Sequence, residues 1–167
     1  MTAASAISEA KREDSKRCLL PIYEEDMRLL ISQATNQSSY LPEEFRRNAV
    51  ELLKKIYLPR PLPENYGLSP NYAWLASLST LTEESQALDL SILAFCIIQT
   101  QLTNTASFSL EEGLQIYSEA LRHHRTDLQD GQKISRDETF AAIVVLTTCE
   151  VFKRPFFTFY DLTVAVL

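Results

Sequence analysis

Between Thr82 and Glu150 the chain carries three apolar-periodic segments in succession, each preceded by residues that open helices. Apolar residues returning every three or four positions turn one side of a helix into a core, so three such segments in a row commit the chain to helix packing. The first is expected over 83–105, with Thr80 or Thr82 as its cap and Glu83 and Glu84 against the positive pole of the helix dipole. Its middle, Leu90 to Ile98, is apolar on almost every side, which marks a central helix. The second opens at Ser109-Leu110-Glu111-Glu112, where the serine hydroxyl and the glutamate three residues on can satisfy each other's free backbone amides. Leu110, Leu114, Tyr117, Leu121 and Leu128 then mark its face. The third opens on the same kind of box, Ser135 to Glu138, and continues through Phe140, Ile143, Val144, Val145, Leu146 and Val151.

Short links make consecutive helices antiparallel neighbours. Ala106-Ser107-Phe108 is the first link, and Thr126 to Lys133 is a longer loop in which Gly131 is expected to supply a positive φ. The N-terminal half adds two more helices. Tyr23, Met27, Leu30, Ile31 and Ala34 recur at helical spacing over 22–35. Pro42, Glu43 and Glu44 suit a first turn and Lys54 and Lys55 a last one, with Phe45, Ala49, Leu52, Leu53 and Ile56 as the buried stripe between them. Pro59, Pro61 and Pro63 end that helix and make 59–69 an extended connector, after which Ser69-Pro70 restarts a helix through Leu78 with Trp74 as a core residue.

The resulting expectation is an all-α fold: antiparallel helix pairs in an irregular bundle or array over residues 18–153, with a solvated N-terminal tail over 1–17 and a non-helical C-terminal tail over 154–167. Pro155 is expected to stop the third helix, and the aromatic and β-branched residues after it lack helical periodicity. Acidic Glu13 and Asp14 interrupt the basic pairs Lys11-Arg12 and Lys16-Arg17, so the N-terminal stretch reads as a tail rather than as a bipartite import signal.

Composition narrows the function. With 167 residues and 46% hydrophobic content the chain can bury a core of its own. Only 3 glycines leave too few for phosphate-cradling loops or tight β-turns. Lys and Arg number 16 against 22 Asp and Glu, a net charge of -6, which is the wrong sign for attracting phosphates. The longest apolar run falls short of the roughly 20 residues a membrane helix needs, so the chain reads as soluble with no membrane contact. Cys18, Cys96 and Cys149 are odd in number and far apart, two of them in apolar runs, and they read as buried small hydrophobes in a reducing intracellular compartment. No secretory segment opens the chain.

Catalysis needs a nucleophile beside a base, paired carboxylates, a metal cage or a cofactor cradle. No motif here assembles one, and no catalytic, cofactor-binding or metal-binding residue is assigned: the expectation is a protein that is not an enzyme. His123 and His124 are adjacent, so on a helix they point about 100 degrees apart and cannot share a metal as an i, i+4 pair does. Together with Arg122 and Arg125 they are expected to meet the unfilled carbonyls at the end of the second helix. The acidic doublets Glu24-Glu25, Glu83-Glu84 and Glu111-Glu112 sit near helix starts, where the dipole favours them. Gly113 costs its helix about 1 kcal/mol relative to alanine and is expected to allow close helix packing.

Leu88 to Leu102, then Tyr117-Ser118-Glu119-Ala120-Leu121, then Asp137-Glu138-Thr139 through Leu146 to Cys149-Glu150, resemble the helical regulatory region of fungal zinc-cluster transcription factors. Tyr117, Ala120, Leu121 and Glu150 occupy the places of that family's packing motif. The family's DNA-binding cluster of six cysteines and two zinc ions has no counterpart in this sequence, and its helices beyond the acidic residue are replaced by Pro155 and the aromatic tail. The resemblance implies a shortened member: a nuclear transcription regulator of a biosynthetic gene cluster. Its helical region would bind a small-molecule effector and pair with a protein partner or with itself, leaving DNA recognition to another chain. The competing expectation is a helical protein interaction scaffold with no transcriptional role.

The charge balance yields the first test. In a fluorescence anisotropy titration at physiological salt, the purified chain is expected to show no sequence-specific DNA binding.

Overall fold

The computed structural model describes residues 23–36, 41, 43–57, 70–102 and 108–164, the last of these with side chains to residue 152. Six helices and no strand occur among them: α1 over residues 23–36, α2 (Glu43–Tyr57), α3 (Pro70–Leu78), α4 (Gln86–Leu102), α5 (Leu110–Gln129) and α6 (Asp137–Val164). The all-α expectation holds. The N-terminal stretch 1–17, the connector 59–69 and Cys18 lie outside the described residues.

α4 is the axis. Every residue from Ala87 to Thr100 is buried, and α2, α5 and α6 all pack against it. Its hydroxyls meet the helix's own carbonyls, Ser91 Oγ donating to Leu88 O and Thr100 Oγ1 to Ile97 O, so that a helix buried on all sides strands neither group. It begins three residues later than expected. Ser85 is its cap, accepting from the Leu88 amide at 3.2 Å, while Thr80 closes α3 by donating to Ser77 O. Gly113 of α5 lets the two helices meet: a Cβ there would lie 2.9 Å from Ile97 Cγ2. A second junction forms around Phe95, whose ring lies 5.7 Å from that of Tyr57 (α2), 6.4 Å from Trp74 (α3) and 5.8 Å from Phe152 (α6).

One polar knot sits in this apolar setting. Arg46 of α2 is buried and its Nε meets Asp89 Oδ1 of α4 at 2.5 Å, while its two terminal nitrogens donate to Leu81 O at 2.8 Å and Glu83 O at 2.9 Å. The Glu83 amide in turn donates to the buried Glu138 carboxylate of α6 at 3.1 Å, and Arg136 pairs with the Glu83 side chain. The segment leading into α4 is therefore held from both sides. Burial pushes the Asp89 carboxyl above its ordinary range, against the opposing pull of the Arg46 bond and charge.

Of the expected caps and breaks one forms as read and three do not. The Ser109 box forms, with hydroxyl and Glu112 carboxylate exchanging bonds with each other's amides. The Ser135 box does not, because Glu138 turns inward to Glu83; Arg136 O accepts the Phe140 amide instead. Gly131 has no positive φ and open space around it, since the turn is made by Asp130, whose Oδ1 accepts the Gln132 amide and whose carbonyl accepts those of Lys133 and Ile134. Finally, α6 does not stop at Pro155. Its backbone stays helical to Val164, so the expected non-helical tail is not found there. Proline in a helix loses one amide and costs about 3 kcal/mol, but its fixed φ is the helical one, and a helix anchored on α4 over its first four turns can continue through it.

The knot gives a measurable consequence. Arg46→Met leaves a buried carboxylate without its counter-charge and is expected to destabilise the fold by about 3–5 kcal/mol, while the double change Arg46→Met with Asp89→Leu recovers much of the loss. Because the folded chain holds the Asp89 proton more tightly than the unfolded one, the deficit of the single variant should be largest at neutral pH and shrink toward pH ~4. Urea unfolding of both variants across that range checks it.

Candidate functional site

A cavity of about 570 Å³ opens between α1, α4 and α5, within the size range of small-molecule sites. Ile31 and Ala34 of α1, Leu90 of α4 and Ile116 of α5 give it an apolar floor. Glu112, Gln115, Glu119, Arg122 and His123 line one wall. They share it because positions three or four apart on α5 fall on one side of the helix. The wall is internally paired. Arg122 Nε meets Glu119 Oε2 at 2.6 Å and its Nη2 lies 3.1 Å from His123 Nε2. A guanidinium only donates, so His123 Nε2 is the acceptor and the ring's proton sits on Nδ1. Burial first and the Arg122 charge second push the His123 pKa down, which leaves a neutral ring facing the cavity at pH 7. The chemistry offered is an amphipathic niche with hydrogen-bonding groups on one side.

The expectation that His123 and His124 meet the carbonyls at the helix end fails, because α5 runs on to Gln129, beyond their reach. His124 turns into the buried side, where burial lowers its pKa and its Nδ1 has no hydrogen-bond partner among the described residues. Cys96 and Cys149 are buried and not joined in a disulfide, and burial raises the Cys96 thiol far above its usual range. Among the described residues there is no group of three or more side chains suited to hold a metal ion, and no helix long and apolar enough to cross a membrane.

Of the four positions singled out by sequence, two meet directly. The Tyr117 hydroxyl donates to Glu150 Oε1, joining α5 to α6 across 33 residues of chain. Ala120 is fully buried on the same side of α5. Leu121 is not a core residue: it is 42% exposed, as is Leu128 at 40%. The buried side of α5 is Gly113, Ile116, Tyr117, Ala120, His124 and Asp127. Tyr117 lies at its edge, and Leu121 falls about 40 degrees further round, beyond the contact with α4. Sequence reading missed Arg46 and Asp89 altogether. The signal was there: an arginine beside Phe45 and an aspartate between Leu88 and Leu90, each a lone charge in a buried stripe.

Compared with known proteins, the chain matches no family model, no curated protein and no solved structure.

Burial, with the bond to Glu150 second, raises the Tyr117 pKa well above its ordinary value. The folded chain therefore resists ionisation there, and this contribution to stability is complete below pH ~10 and lost above it as the unfolded tyrosine ionises. Tyr117→Phe is expected to cost ~1–2 kcal/mol at pH 7, and its stability curve should converge on that of the unsubstituted chain as pH rises past ten, as read by chemical unfolding.

Proposed function

We propose that the chain is the helical regulatory part of a transcription regulator of the fungal zinc-cluster type. It acts in the nucleus on a biosynthetic gene cluster, is not an enzyme, and contributes no DNA contact from these 167 residues. The observation that carries this reading is the Tyr117–Glu150 bond, because those residues were singled out by the resemblance and lie 33 positions apart. The cavity beside α5 supports the regulatory part of the reading, since its size and its one polar wall suit a small amphipathic effector. The acidic charge of -6 fits a module that leaves phosphate recognition to another protein.

A second reading, the helical interaction scaffold, is favoured by the apolar residues that α6 leaves on the surface: Phe140, Ile143, Val144 and Val151.

Fusing the chain to a heterologous DNA-binding domain separates the two. A regulator is expected to change transcription of a reporter carrying the matching site severalfold. Ile116→Arg, which fills the cavity floor with a charged side chain, should abolish any response of that reporter to cell extract metabolites. Reporter output equal to that of the DNA-binding domain alone would overturn the transcriptional reading and leave the scaffold.

A further inference from the structure

The outer side of α6 carries Phe140, Val144, Thr147 and Val151, all exposed, with Phe140 at 69% and Val151 at 61%. Ile143 lies beside them, and Leu121 and Leu128 come from the flank of α5 nearest α6, on the side marked by Tyr117 and its bond to Glu150. Six large apolar side chains are thus left uncovered on this side of the molecule, with Ile134 of the connecting turn exposed as well, whereas α1 exposes only Leu29. At those fractions they present on the order of 600 Å², the top of what a soluble monomer ordinarily leaves bare and close to the ~800 Å² that each partner of a standard interface contributes.

We infer that this face is the contact between two copies of the chain, with α6 packed antiparallel against α6 of the second copy about a two-fold axis. Three features select a second copy over another partner. The stripe positions 140, 144, 147 and 151 are spaced four, three and four, so the pattern reads the same in both directions. Antiparallel pairing then sets Phe140 against Val151 of the second copy and Val144 against Thr147, a large group facing a smaller one at each end. That self-complementarity is what an isologous contact requires. The stripe also contains no charge, which lets two chains of net charge -6 approach along it. Two exposed acids flank the stripe: Asp137 lies beyond its Phe140 end, and Glu150, engaged by Tyr117 on the flank, faces position 141 in this register, an alanine, rather than its own copy. The inference does not depend on the transcriptional reading.

Sedimentation of the whole chain at micromolar concentration is expected to give twice the 19.0 kDa chain mass. Val144→Glu should convert it to a monomer with unchanged far-ultraviolet circular dichroism, and Leu29→Glu, which alters the exposed leucine of α1, should leave the dimer intact. The register has its own test. Phe140→Cys combined with Val151→Cys should form a covalent dimer on mild oxidation that reducing agent reverses, while each single substitution should not. Eleven residues of helix span ~16 Å, too far for the two cysteines of one chain to bridge. A monomeric chain, a dimer untouched by Val144→Glu, or cross-linking by Phe140→Cys alone would overturn the proposal.

Discussion

The contact on which the rest of this fold depends is the buried pair of Arg46 and Asp89. Taking both charges out of water is costly, and the cost is offset only where geometry and additional bonds satisfy the whole guanidinium. Here Asp89, Leu81 O and Glu83 O take all three of its nitrogens, so one side chain of α2 fixes α4 and also the chain that enters it. Glu138 then reads the same segment from α6 through the Glu83 amide. Hydrophobic burial alone would let α2 and α6 slide along an α4 that is apolar on all sides. The knot sets their register.

How much of this was legible in the sequence depends on range. Periodicity placed α2 and the Ser69-Pro70 start placed α3, both closely, and the apolar all-round character of Leu90 to Ile98 identified the central helix, because these signals are local. The Ser109 box is local too, and it forms. The Ser135 box had the same letters, yet Glu138 is taken by Glu83, 55 residues away, and no neighbouring residue announces that competition. Pro155 misled for the converse reason: a local breaker was overridden by a helix already anchored on α4. On α5 the leucines suggested the wrong side, whereas Gly113, read as a point of close packing, does admit Ile97, and Ala120 is buried on the same side. Tyr117 and Glu150 were read as packing positions and they bond to each other, but the cavity was not legible, because its floor draws on three helices at once.

Cavity and outer stripe lie on different sides of the molecule and share α5. Ile116 lines the cavity while the next residue, Tyr117, bonds to α6. Both project from the same turn of a rigid helix that is held tight to α4 at Gly113. An occupant of the cavity would thus bear on the same helical turn that Tyr117 ties to α6.

The aromatic junction around Phe95 has an optical consequence. Trp74 is the only tryptophan in the chain, it is half-buried, and it sits 6.4 Å from Phe95, where α2, α3, α4 and α6 converge. Tyr57 packs against the same Phe95 ring, at 5.7 Å. The emission colour of this protein therefore reports on a single place, the meeting point of four helices, and nature has labelled that place with one intrinsic dye.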